Sequence, residues 1–387
     1  IDGDCTKCDS DTCLSSNLPV MYAGGQKIEA ATDFSTGGSN PLEVKRHYYS
    51  GTAQDLESDN LSSGWFFSFE HKIFKNSSTK IVLIDPDGTS TSMTQDGAGV
   101  FRTSTKAAAI TAIYYSTPSP HYLVTMPDGL VIKLEAASNG QTPRIYRSTE
   151  LTHQNGYTQT ILRDAAGLIT SATDNLARSL AYTWTGHELT KITAPGGIEI
   201  NYTYSYATQT DGVDDTYSRR LATVTVTNGT LSETTTYHYE NTDYPYHLTG
   251  ITDARGVRIK TVVYDSLGRA TESGLIGGVD KTTFAYTNSG TTYLTTATNA
   301  LGKQSTFKFK KFSGIRRLIG VDGAASASCP ASATSMTYTS AGGLDTATDE
   351  EGRVTKYVRD VLGQPTSITR GFGTPEAVTT TYTYHAT

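Results

Sequence analysis

An acidic or amide residue followed three positions later by glycine recurs along this chain. It appears at Asp85/Gly88, Asp164/Gly167, Asp253/Gly256, Asp265/Gly268, Asn299/Gly302, Asp349/Gly352 and Asp360/Gly363. The first position of a type I turn favours Asp or Asn, whose side chain accepts from backbone N–H groups ahead of it, and the fourth favours Gly, which adopts positive φ freely. When such a turn closes a hairpin, the glycine also forms a bulge that restores the strand twist. Each phrase therefore reads as a hairpin bend. The stretches between bends alternate polar and apolar residues, as in GLVIKLEA (129–136), IEINYTYSY (198–206), LATVTVTN (221–228) and KTTFAYTN (281–288). That alternation belongs to strands with one packed and one wet face, and no long stretch keeps a helical period. The expected fold class is all-β and antiparallel.

Spacing sets the architecture. Asp253 to Asp265 is 12 residues and Asp349 to Asp360 is 11. A four-residue turn leaves about seven or eight residues per strand, roughly 25 Å at about 3.3 Å each. The paired units begin at 253, 299 and 349, so a larger repeat contains each pair. Such nesting predicts a hairpin solenoid or long coiled sheet in which each hairpin buries its apolar face against its neighbours. The organisation expected is a Cys/Asp-rich segment over 1–20, a separate β module over 21–150 and the repeat sheet over 151–387.

Composition agrees with strands. Tyr outnumbers Phe 24 to 11, with 2 Trp, and Thr, Ser and Gly abound, a mixture suited to a half-buried pleated surface. The formal charge of -6 argues against nucleic-acid binding by general electrostatics. No apolar run approaches the roughly 20 residues of a membrane helix. The chain begins at Ile1 and stops within a strand-like TTTYTYHAT, so it is expected to be part of a longer polypeptide.

Cys5, Cys8 and Cys13 lie near the front and Cys329 far downstream. Four cysteines allow three complete pairings, among which sequence does not choose. Disulfides in an oxidising compartment are expected rather than a metal site, because the C-x2-C-x4-C spacing has no second knuckle, even with Asp4, Asp9 and Asp11 nearby. Asp9 after Cys8 excludes c-type haem attachment.

No nucleophile elbow, paired-histidine zinc motif, Walker loop or dinucleotide fingerprint is present. His238 and Glu240, two apart, could share a strand face as an acid–base pair, but ordinary polar pairing is the expectation. In FKFKKFSGIRR, alternation puts Phe307 and Phe309 on one face and Lys308 and Lys310 on the other, as in an ordinary amphipathic strand. The tyrosine bands suit sugar contacts as well as cross-strand ladders. No catalytic residue, cofactor or metal is assigned, and the chain is expected not to be an enzyme.

Tyr264-Asp265-Ser266-Leu267-Gly268-Arg269 resembles the core of the YD repeat of Rhs proteins. TDEEGRVTKYVRDVLGQ resembles the fuller repeat with Arg359 in the tyrosine's place, and the copy at Asn299 carries Lys310-Lys311 where Tyr-Asp would stand. The front is similar to the module that precedes such repeats, through Pro19-Val20, Asp33-Phe34, Arg46-His47-Tyr48, Gly64-Trp65 and Phe69. Rhs and YD-repeat proteins, insecticidal toxin C components and teneurin barrels among them, wind these repeats into a hollow β shell that can enclose a C-terminal toxin. The resemblance implies a secreted or surface-exposed bacterial shell segment whose partner is a cargo of the same polypeptide. Asp253, Gly256, Asp265, Gly268, Asn299, Gly302, Asp349, Gly352, Asp360 and Gly363 would then be structural turns. An adhesion or self-assembling filament protein and a carbohydrate-binding or carbohydrate-active β protein are the alternatives.

Overall fold

The computed structural model describes residues 19–52, 62–103, 110–136, 144–207, 219–312, 315–325, 331–340, 342–360 and 363–384. All four cysteines, and the disulfides expected of them, lie outside the described residues. The described chain is antiparallel β throughout, thirty strands with no α-helix. It divides into a small sheet, a ring and a wall.

The small sheet, called the plug below, has the order β1 (Ile28–Ser35), β2 (Glu43–Tyr49), β3 (Trp65–Phe67). The ring follows in β4 (Lys72–Lys75), β5 (Lys80–Ile84), β6 (Ser90–Gln95), β7 (Val100–Thr103), β8 (Thr111–Tyr115), β9 (His121–Thr125), β10 (Val131–Ala136) and β11 (Ile145–Thr152). Each ring strand pairs with the next, and β11 returns to β4. The wall, β12 to β30, carries the same sheet from Thr158 to Thr381.

Ring and wall share one strand. Along one edge β11 pairs with β10. Its other edge is split, with Ile145–Arg147 on β4 closing the ring and Glu150–Thr152 on β12 (Thr158–Arg163) starting the wall. At the split, the Ser148 N–H donates to the His71 carbonyl at 3.1 Å, and Arg163 donates to the Ser148 and Phe69 carbonyls, both at 3.2 Å. Phe69, where the chain passes from plug to ring, has φ 73, a conformation that costs a bulky residue energy.

Hairpin bends punctuate the wall. In all seven Asp/Asn-x-x-Gly phrases the glycine N–H donates to the first residue's carbonyl at 2.9–3.1 Å, and every such glycine has positive φ. Asp265 shows a full version, repeated at Asp349: Oδ1 accepts from the Leu267 and Arg269 N–H groups, and Oδ2 accepts from Arg269 Nε at 2.8 Å. The same turn forms at Asp96, Met126, His153, Asp174 and Thr339, where the sequence had not marked it. Three of these lack Asp or Asn at the first position, and at Asp174 the fourth residue is Ala177, held at φ 61.

Nine strand pairs of ring and wall carry a bulge, five of them beside these bends, and such a bulge takes a carbonyl out of the ladder. In seven cases a side chain of the following strand or its extension donates to that carbonyl. These are Arg163 to Ser148, Trp184 to Ile169, Tyr204 to Leu189, Tyr286 to Ala270, Tyr338 to Leu318, Arg359 to Leu344 and Tyr384 to Pro365, at 2.6–3.5 Å. Their acceptors are the residues opposite the register shifts. In four bulges the extra residue is a threonine, Thr170, Thr190, Thr271 or Thr366, whose hydroxyl donates across the ladder at 3.0–3.3 Å. A buried carbonyl without a donor is costly, so these seven hairpins are each latched by the next. Tyr264 extends the scheme by donating to the Leu248 carbonyl at 2.7 Å.

The long coiled antiparallel sheet is the one expected, but its hairpins do not bury their apolar faces only against neighbours, because a single-layer sheet cannot cover its own face. One large cluster joins plug, ring and early wall, from Leu42, Tyr48 and Trp65 to Leu248 and Ile251. A second places Val20 and Ala23 against Val262, Phe284, Phe307, Phe309 and Leu318 of the later wall.

Gly256 and Gly268 have nearly the same φ, 74 and 71, but different surroundings. A Cβ at Gly256 meets open space, whereas one at Gly268 would lie 2.9 Å from both His247 and Tyr244. Gly256→Ala should cost about 1 kcal/mol through backbone strain alone, and Gly268→Ala clearly more, read as the difference in urea midpoints. Tyr286→Phe should cost about 1 kcal/mol by stranding the Ala270 carbonyl.

Candidate functional site: the plug seated in the wall

Strand alternation positions the plug's inward side chains. Along β2, Val44, Arg46 and Tyr48 are buried to within 1 % of full coverage, while Glu43, Lys45 and His47 turn to the other side. Arg46 is thus an arginine in a hydrophobic core. Its Nε and Nη2 grip Asp33 of β1 in a fork, at 2.5 and 2.7 Å. The wall completes the group: Tyr237 accepts from Arg46 Nη2 at 2.9 Å and Tyr202 donates to Asp33 Oδ2 at 3.1 Å. The guanidinium also lies 5.0 Å from the Trp65 ring and 5.2 Å from the Tyr237 ring. Burial alone would lower Arg46, but Asp33 outweighs it and holds the guanidinium charged, well above its ordinary value. Burial pushes the Tyr202 hydroxyl well above its ordinary range.

Other plug residues bind the wall along its length. Trp65 Nε1 donates to the Tyr239 hydroxyl at 2.8 Å. Tyr48 donates to the Tyr246 carbonyl and accepts from the Leu248 N–H, both at 2.9 Å. Lys27 and Lys260 both reach Glu29, at 2.9 and 2.6 Å. Burial lowers Lys27, only partly offset by Glu29. At one end Arg178 donates to Thr36 and to the Asn40 carbonyl, at 2.7 and 2.5 Å. Toward the far wall, Tyr22 stacks on Phe307 at 3.8 Å, and Thr295 and Arg316 donate to the Tyr22 and Ala23 carbonyls.

Asp33, Arg46, Tyr48, Trp65 and Phe69, conspicuous in the sequence, thus converge at the plug and its exit into the ring. Their wall partners, Tyr202, Tyr237, Tyr239 and Tyr246, are not distinguishable from the other tyrosines in sequence. The threonine inside four of the bulges, as in Leu-Ile-Thr170 and Arg-Ala-Thr271, is a signal that could have marked those latches. The turn residues at 253, 265, 299, 349 and 360 lie along the wall rather than in one cluster. His238 and Glu240 do not act on each other directly: His238 Nε2 meets the Thr252 hydroxyl at 2.7 Å, and Glu240 holds Arg258 at 2.7 Å. Phe307 and Phe309 are buried, and Lys308 on the other face pairs with Asp322 at 2.5 Å. Among the described residues no three His, Cys, Asp or Glu side chains converge closely enough to hold a metal ion, and no helix is long and apolar enough to cross a membrane.

Asp33→Ala leaves the buried Arg46 guanidinium without its carboxylate and should cost about 3–5 kcal/mol by chemical denaturation, whereas the paired change Asp33→Leu with Arg46→Met should recover most of that loss.

Residues 17–93 match a family model described as a domain of unknown function, DUF6531, a span holding the plug and the first ring strands. No curated protein matches. Among solved structures, the chain is similar to a Photorhabdus luminescens Tc holotoxin pore, with TM-score 0.40 and 11% identity over 89% of this chain and 21% of that one. It is also similar to the TcdB2-TccC3 crystal structure, with TM-score 0.35 and 10% identity over 92% of this chain and 23% of that one. The chain therefore spans about a fifth of the length of those structures.

Proposed function

We propose that this chain is the capped opening segment of a hollow YD-repeat shell of the Rhs type, a structural, non-enzymatic wall. The observation that carries this reading is where the filling stops. Plug residues cover one face of the wall as far as the strand Ile315–Gly323, where Arg316 meets Ala23. Among the described residues beyond Leu318, no hydrophobic side chain is buried. The hydrogen-bonded sheet continues through five more strands all the same. A wall that outruns its filler, beyond an end closed by ring and plug, suits a container. The contents, on the Rhs resemblance, are a toxin or other cargo carried C-terminally by the same polypeptide, and the setting is outside a bacterial producer.

Imaging the full gene product by electron cryomicroscopy tests this reading. A thin-walled hollow body with density for 19–52 inside one end is expected, and a solid particle or a fibre of stacked copies overturns the shell.

A further inference from the structure

The loop 239–249 breaks the repeat. It leaves β18 (Leu231–His238) and returns at β19 (Gly250–Thr252), and between them it folds over the end of β2. It holds the plug through the Tyr239 hydroxyl, which accepts from Trp65 Nε1, and through the Tyr48 hydroxyl, which donates to the Tyr246 carbonyl and accepts from the Leu248 N–H. Beneath this contact sits His247, 6 % exposed. Its ring stacks on Tyr244 of the same loop, 4.8 Å away and 9° from parallel, and packs on Tyr264 of β20 (Arg258–Tyr264) at 4.8 Å. The Ser50 backbone, at the end of the plug, faces the ring, and the buried His247 Nδ1 has no hydrogen-bond partner among the described residues. Gly268 closes the remaining side.

We propose that loop 239–249 is an acid-operated clasp, which lets go of the plug when His247 takes up a proton. Among the described residues no carboxylate is paired with the His247 ring, and the groups that face it are the phenols of Tyr244 and Tyr264 and the Ser50 backbone. On neighbouring positions, Asp265 and Arg269 of the Gly268 turn are paired to each other at 2.6 Å, Glu240 of the loop is paired with Arg258 at 2.7 Å, and the Tyr48 hydroxyl is committed to the loop. Burial draws the imidazole from its ordinary 6.5 down to about 4, and the Ser50 contact offsets only part of that. An opened clasp returns His247 to water, where it binds a proton near 6.5. Closure is therefore fully favoured above about pH 6.5 and weakens as pH falls toward 4. His47, on the outer side of β2, is also lowered by burial, but it faces away from the loop. The clasp does not depend on whether the wall encloses a cargo.

Hydrogen exchange of the Leu248 amide in the whole chain, corrected for its intrinsic pH dependence, tests the clasp. Protection should fall roughly tenfold or more between pH 7.5 and pH 4.5, and His247→Phe, which cannot be protonated, should flatten that response. An equal fall in His247→Phe, or unchanged protection in the wild type, overturns the proposal. Imidazole NMR titration of the wild type stands if the variant does not fold: a His247 midpoint well below 6 is expected, and one near 6.5 overturns the clasp.

Discussion

A single-layer sheet creates an apolar face that it has no means of covering, and the structure is organised around that deficit. A closed ring covers its own interior because opposite strands face each other across it. An open wall cannot, so the chain's first strands are laid against it. Arg46 shows how tightly this is done. An unpaired guanidinium in such a core would be prohibitively desolvated. The Asp33 fork, with Tyr202 and Tyr237 approaching from the wall, allows the charge to remain and ties two separate sheets at one depth.

The wall meets a second constraint, the twist of a long antiparallel sheet. Bulges beside the bends supply curvature, but each removes a carbonyl from the ladder. The latches return it, through Tyr, Trp or Arg from the next strand. Arg359 therefore serves where other hairpins use a tyrosine: the position asks for a long side chain ending in a donor, not for an aromatic ring. The latch scheme also separates two jobs within Tyr264-Asp265. The tyrosine reaches back to the preceding hairpin, at Leu248, and the aspartate shapes its own turn.

The split edge of β11 turns these local devices into an architecture. One strand both closes the ring and begins the wall, so ring and wall form one continuous hydrogen-bonded sheet. The plug leaves through Phe69 at that same point, where Arg163 and Ser148 gather its carbonyl. The 239–249 loop is the place where the wall grips the plug from the outside of the repeat pattern.

Strand identity, hairpin bends and antiparallel pairing were legible in the sequence, because they depend on periods of two and on turn chemistry within four residues. Asp265 and Gly268 declare their bend locally. Even there, the turns begun by Met126, His153 and Thr339 passed unmarked, since glycine at the fourth place suffices once the strands are paired. What only the tertiary structure decided was which residues fill the wall. Nothing local distinguishes Tyr237 from the other tyrosines or reveals that Arg46 is buried, because both depend on strands nearly 200 residues apart meeting through the return of β11 to β4. Sequence spacing encodes repetition, but closure and filling are long-range geometry, and no short window of residues carries them.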